Sequence, residues 1–151
     1  MKEETRKREE AGRREKFSSW AELIIYLEAE YNRTNEEVGK AEQAADEAYR
    51  ASEVGKAFKE FDMRIARMSD DEVRANRSEI NLREEEAEKE YQKCNEQFGV
   101  GKLRENRSEA VDKLVDALDW FEAEKLRAKE SLSKQEKKAL NIYDVWTYNP
   151  D

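Results

Sequence analysis

Apolar residues recur along this chain in steps of three and four, the spacing of a helix face. Phe17, Trp20, Ile24, Leu27 and Tyr31 follow one another at three, four, three and four, with Leu23 beside them, and place a bulky stripe on a first helix. Ser19 and Glu22 supply a capping box at its start. Around Asn32-Arg33-Thr34 the pattern resets. Thr34 with Glu37 offers a second capping box, so a turn is expected near 32–34 and a second helix from there to about Met68. That helix carries Ala41, Ala44, Ala48, Ala51, Gly55, Phe58 and Ile65 at heptad spacing, small residues first and large ones later. The small half forms a seam that lets another helix approach closely, and the Trp20–Tyr31 stripe is its expected filler. Gly39 and Gly55 each cost about 1 kcal/mol in a helix interior, so one of them is expected to mark a break.

Ser69 and Glu72 cap a third helix near residue 70, with Met68 stapled onto Val73. From there to Phe98 the apolar positions are thin, namely Val73, Ile80, Ala87, Tyr91, Cys94 and Phe98, and Glu84, Glu85 and Glu86 interrupt them. This helix is expected to expose most of its circumference. Gly99-Val100-Gly101 suits a left-handed cap and a turn. A fourth helix follows to about Ser131, with Leu103, Val111, Leu114, Leu118 and Phe121 as its core stripe and Val115 and Leu126 beside it. Ser133 and Glu136 then cap a short terminal segment. That segment, from Ala139 to Tyr148, holds a single charge, so something must cover it: either its own bundle or a partner engaged through Ile142, Tyr143, Trp146 and Tyr148.

Composition sharpens the picture. The only proline is Pro150, so no residue before it carries the strongest helix breaker. Ala, Glu, Lys, Leu and Arg make up more than half of the 151 residues, as in long helices or coiled coils. Charged residues are 44% of the chain, against roughly 25% in typical domains, and leave few side chains for a thick core. The expected fold is all-α: an irregular helical bundle or extended helical hairpin of about four long helices plus a short C-terminal element. The expected organisation is a charged extension over residues 1–16, a helical or coiled-coil-like domain over 17–132 and an aromatic segment over 133–151.

A net charge of -8 conceals 37 acidic and 29 basic residues, most of which can pair along helices. Only the first sixteen residues are net basic, and five glutamates are interspersed among them, so no direct nucleic-acid contact is expected. The lone Cys94 cannot close an intrachain disulfide, and the charged start lacks the apolar core of a secretory signal. The longest apolar run, Leu23 to Leu27, is far short of the ~20 residues of a membrane span. A soluble, cytoplasmic protein with no membrane partner is the expectation.

Zero histidine removes Ser-His-Asp and Cys-His nucleophiles, zinc helices and Glu-x-x-His di-iron bundles. No glycine-rich phosphate loop is present, since Gly99-Val100-Gly101-Lys102 lacks the length and the preceding strand. One carboxylate row, Glu105, Glu109, Asp112, Asp116 and Asp119, follows a helical face that could hold magnesium; a solvated acidic face is the expected reading. Cys94 reads as a small buried hydrophobe. No cofactor and no metal are therefore expected. The leading functional expectation is a non-enzymatic protein-interaction module, an adaptor, assembly factor or inhibitor, with a protein partner or a second copy of itself. Its expected contacts are Ile142, Tyr143, Trp146 and Tyr148 and the carboxylates Glu84, Glu85 and Glu86. One alternative is an acidic inhibitor that occupies a nucleic-acid-binding groove of its partner. A magnesium-dependent all-α nucleotide hydrolase is the other.

Overall fold

The computed structural model describes Lys2 and residues 19–148. Phe17 and the 1–16 extension lie outside the described residues, apart from Lys2. Seven helices and no strands occur among the described residues: α1 (Trp20–Ala51), α2 (Glu53–Ile65), α3 (Asp70–Ala75), α4 (Arg77–Gln97), α5 (Val100–Trp120), α6 (Ala123–Arg127) and α7 (Lys134–Thr147). The fold is all-α, as expected. No helix among the described residues is long and apolar enough to cross a membrane.

Helix α1 opens as the sequence suggests, with the Glu22 amide donating to Ser19 Oγ at 3.2 Å. It does not turn at 32–34. Thr34 directs its hydroxyl to the Tyr31 carbonyl at 2.8 Å, a bond within its own helix rather than a cap, and is only 5% exposed. Thr34 belongs to one stripe of steps of four and three: Trp20, Ile24, Leu27, Tyr31, Thr34, Val38, Ala41, Ala45 and Ala48. Ala45, not Ala44, joins Ala41 as the buried part of the small-residue seam. Because α1 is one helix, its own aromatic half does not fill that seam, and Cys94 and Val100 take the place.

The expected break falls between Ala51 and Glu53. Ser52 caps α2, accepting from the Gly55 amide at 3.0 Å and donating to the Tyr49 carbonyl at 2.6 Å. Gly55 is buried there, and only glycine fits, because a Cβ would collide with the Tyr49 carbonyl. The long third helix is split. Ser69 starts α3, its hydroxyl accepting from the Glu72 amide at 3.2 Å, but Asn76 ends it after six residues with its side-chain amide on the Glu72 carbonyl at 2.8 Å. Gly99 adopts φ +65 and turns the chain from α4 into α5. α5 stops at Trp120 rather than near Ser131. The Ala123 amide bonds the Phe121 carbonyl at 3.1 Å around Glu122, an inverse γ-turn made without glycine or proline.

Among the described residues, contacts group the chain into two compact units, one made of residues 19–35 and 106–148, the other of Glu36–Glu105. By contacts, residues 133–148 group with the start of α1. In the first unit α5 runs antiparallel to α1: Arg107 donates to Asn35 at 3.2 Å at one end, while Phe121 and Trp20 share a cleft at the other. α7 runs parallel to α1, from Ser133 and Glu136 at that cleft to Trp146 beside Glu28 and Tyr31. Leu23, Ile24, Leu27, Leu114, Leu118, Phe121, Leu140 and Ile142 form the core between them. Each such side chain stabilises the fold by roughly 1.5–3 kcal/mol on burial. In the second unit Ala41 and Ala45 of α1 pack with Cys94 and Val100, Arg104 reaches Glu42 at 3.4 Å, and α2 lies against α4.

Candidate protein-interaction face

Helix α4 buries Ile80, Ala87 and Cys94, one residue in seven, along a single line. Two full turns separate successive anchors, so most of its side chains face outward, including Leu82 at 56% exposure. Glu84, Glu85 and Glu86 are all exposed, on this helix of the second unit.

Helix α2 meets α4 through Phe61, which is buried with two guanidinium groups near its ring. Arg64 lies 5.5 Å and Arg83 5.2 Å from the centre of its ring. Arg83 also lies 3.9 Å from Glu79, so a carboxylate and an aromatic ring hold it. Toward the N-terminus of α2 the two helices leave a groove of about 190 Å³, lined by Glu53, Val54, Ala57 and Phe58 of α2 and by Arg83 and Glu86 of α4. Val54 and Phe58 are half-buried; Ala57, Glu53 and Glu86 are exposed. Beyond it Tyr49 and Tyr91 meet edge to face at 5.6 Å. Burial pushes the Tyr49 hydroxyl up from its ordinary range, and the nearby Cys94, Glu88 and Glu90 add to the shift.

The first unit has a larger cleft of about 510 Å³, floored by Trp20, Phe121 and Leu126. Its two lysines are paired: Lys125 with Glu122 at 3.0 Å and Lys129 with Glu136 at 2.7 Å. Ser133 and Glu136 form a complete capping box at its edge. Among the described residues no three carboxylate or thiol side chains gather as a metal-ligand set. Cys94 is 4% exposed, in the apolar company of Ala41, Ala45 and Val100.

The structure separates the residues singled out at the C-terminus. Ile142 is buried in the first unit's core, Tyr143 packs on Phe121 with ring centres 5.7 Å apart, and Trp146 meets Tyr31 at 4.9 Å. Trp146 also donates its indole N–H to Glu28 at 3.2 Å. These three are packing residues here, which is the bundle-docked outcome; Tyr148, at 76%, and Val145 remain exposed. Glu84, Glu85 and Glu86 lie on the other unit, and only Glu86 lines a cavity among those described. Val54, Ala57 and Arg83 were not marked by sequence. The four-three-four spacing of Val54, Phe58, Phe61 and Ile65 is the signal that finds this face of α2. No protein-family model matches the chain, and no curated protein or solved structure matches it.

Proposed function

We propose that this chain is a non-enzymatic protein-binding module, an adaptor, assembly factor or inhibitor, folded as an irregular helical bundle and docking through the α2 and α4 faces of its second unit. The observation that carries the reading is α4, a 21-residue helix anchored by one residue in seven. Such a helix offers another chain a long, stiff, ready-formed surface, and stiffness lowers the entropy lost on binding. The absence of histidine from the sequence and the paired charges of the larger cleft favour binding over catalysis.

The test combines solution mass by light scattering with photo-crosslinkers placed at Leu82 and Tyr91, both exposed on α4. Self-association, or a saturable crosslink to one protein in extract of the source cells, is the expected result. A monomer with no saturable crosslink at either position overturns the reading. If capture occurs and is abolished by glutamine at Glu84, Glu85 and Glu86, the acidic-inhibitor alternative replaces docking through apolar faces.

A further inference from the structure

The groove between α2 and α4 has a definite chemistry. At about 190 Å³ it falls below the roughly 300–1,000 Å³ of sites that enclose a whole small molecule, so it suits one side chain of a larger partner. Val54, Ala57 and the Phe58 ring make apolar walls, while Glu53 and Glu86 bring two carboxylates. Neither carboxylate makes an ion pair with any described residue. The groove's own cation, Arg83, is turned onto Phe61 and held near Glu79. A long basic side chain satisfies both kinds of surface, stem along the apolar walls and head at the carboxylates.

The same two helices display a nearby precedent. On α2, Phe61 follows Phe58 by three residues and carries guanidinium groups from α2 and from α4. Phe58 offers a second phenyl ring on the same helix, in a groove that Glu53 and Glu86 share with Arg83, whose guanidinium lies over Phe61 instead. A guanidinium, planar and weakly hydrated, stacks on such a ring and forks onto a carboxylate better than an ammonium does.

Resting on the protein-binding reading above, we propose that this groove seats an arginine side chain presented by a partner protein. The stem lies against Val54 and Phe58, and the guanidinium meets Glu53 and Glu86.

The test titrates isotope-labelled full chain with n-butylguanidinium and, separately, with its neutral isostere n-butylurea, following backbone amide shifts. Saturable shifts at Val54, Ala57, Phe58 and Glu86, about tenfold weaker with the urea, are expected because the carboxylates recognise charge. Glu53→Gln with Glu86→Gln, both exposed positions that tolerate the change, should weaken the guanidinium by a similar factor. Equal binding of both probes overturns the proposal in favour of a merely apolar crevice. Shifts scattered over the acidic surface, or none at the groove by tens of millimolar, overturn it as well. The crosslinking result at Leu82 and Tyr91 is read independently, so a partner that docks without arginine leaves the protein-binding reading standing.

Discussion

Trp146 donates its indole N–H to the Glu28 carboxylate at 3.2 Å across 118 residues of sequence. With the edge-on contact to Tyr31 and the Arg127–Asp144 ion pair, this ties the C-terminal helix to the start of α1 and to α6. Trp146→Ala removes packing as well as the bond, and should cost about 2–3 kcal/mol, at or below the low end of the range for large aromatic truncations because the ring is half-buried. Trp146→Phe keeps most of the packing and should cost about 1 kcal/mol. Chemical denaturation monitored by circular dichroism distinguishes the two. Equal, negligible losses would show that α7 is not fastened there. Truncation after Leu132 removes Ala139, Leu140 and Ile142 from the first unit's core, so a destabilised protein is expected.

Two glycines in helices should respond oppositely to alanine. Gly39 lies exposed in α1 with nothing within 4 Å of the place an alanine methyl would take, so Gly39→Ala should stabilise by about 0.5–1 kcal/mol. At Gly55 the same methyl collides with the Tyr49 carbonyl, where backbone rather than a flexible side chain must move. Gly55→Ala should therefore destabilise by more than about 1 kcal/mol. Thermal melts of the two variants should move in opposite directions; a stabilised Gly55→Ala would refute the tight junction between α1 and α2.

These residues also show why part of the fold was legible and part was not. Ser133 with Glu136, and Gly99 after Phe98, act through atoms within three residues of themselves, so local sequence was enough. Thr34 with Glu37 has the same letters as a capping box, yet the Thr34 hydroxyl serves the Tyr31 carbonyl because α1 continues its buried stripe through Val38. Tertiary burial decides between those uses of one hydroxyl. Ser52 caps α2 without a glutamate or glutamine at the third helical position, since Gly55 is there, and so escaped the capping-box pattern. The turn at Glu122 has neither glycine nor proline to announce it. At the candidate site the thin apolar spacing of α4 was readable, whereas the groove needed α2 laid against α4, a pairing that no local spacing encodes.

Ile80 and Leu82 stand two residues apart on α4 and differ in exposure from 2% to 56%. Ile80 is one of only three buried anchors of its helix, so Ile80→Ala should cost about 2–5 kcal/mol. Leu82→Ala should change stability by no more than about 0.5 kcal/mol. Urea denaturation of each variant measures the contrast. A comparable loss at Leu82 would mean that this side chain is covered in solution, by a second copy of the chain or by a rearranged helix.

Glu136 gives the chain a pH-dependent fastening at the head of α7. Its carboxyl is lowered from 4.5 to about 2, chiefly by the Lys129 ammonium at 2.7 Å, then by the Ser133 amide at 3.0 Å. Both favour the charged form against the smaller opposing effect of burial. A carboxyl depressed by folding binds its proton more readily in the unfolded chain, so its stabilisation is fully present above about 4.5 and fades as pH falls toward about 2. Carboxyl-detected NMR titration should place the Glu136 midpoint well below those of exposed glutamates, and Lys129→Met should raise it. Glu136→Gln keeps the reciprocal cap while removing the titration, so the variant should lose less stability than the parent between those two pH values. A Glu136 midpoint in the ordinary carboxylate range, unmoved by Lys129→Met, would refute the Lys129–Glu136 pairing as the fastening of this helix.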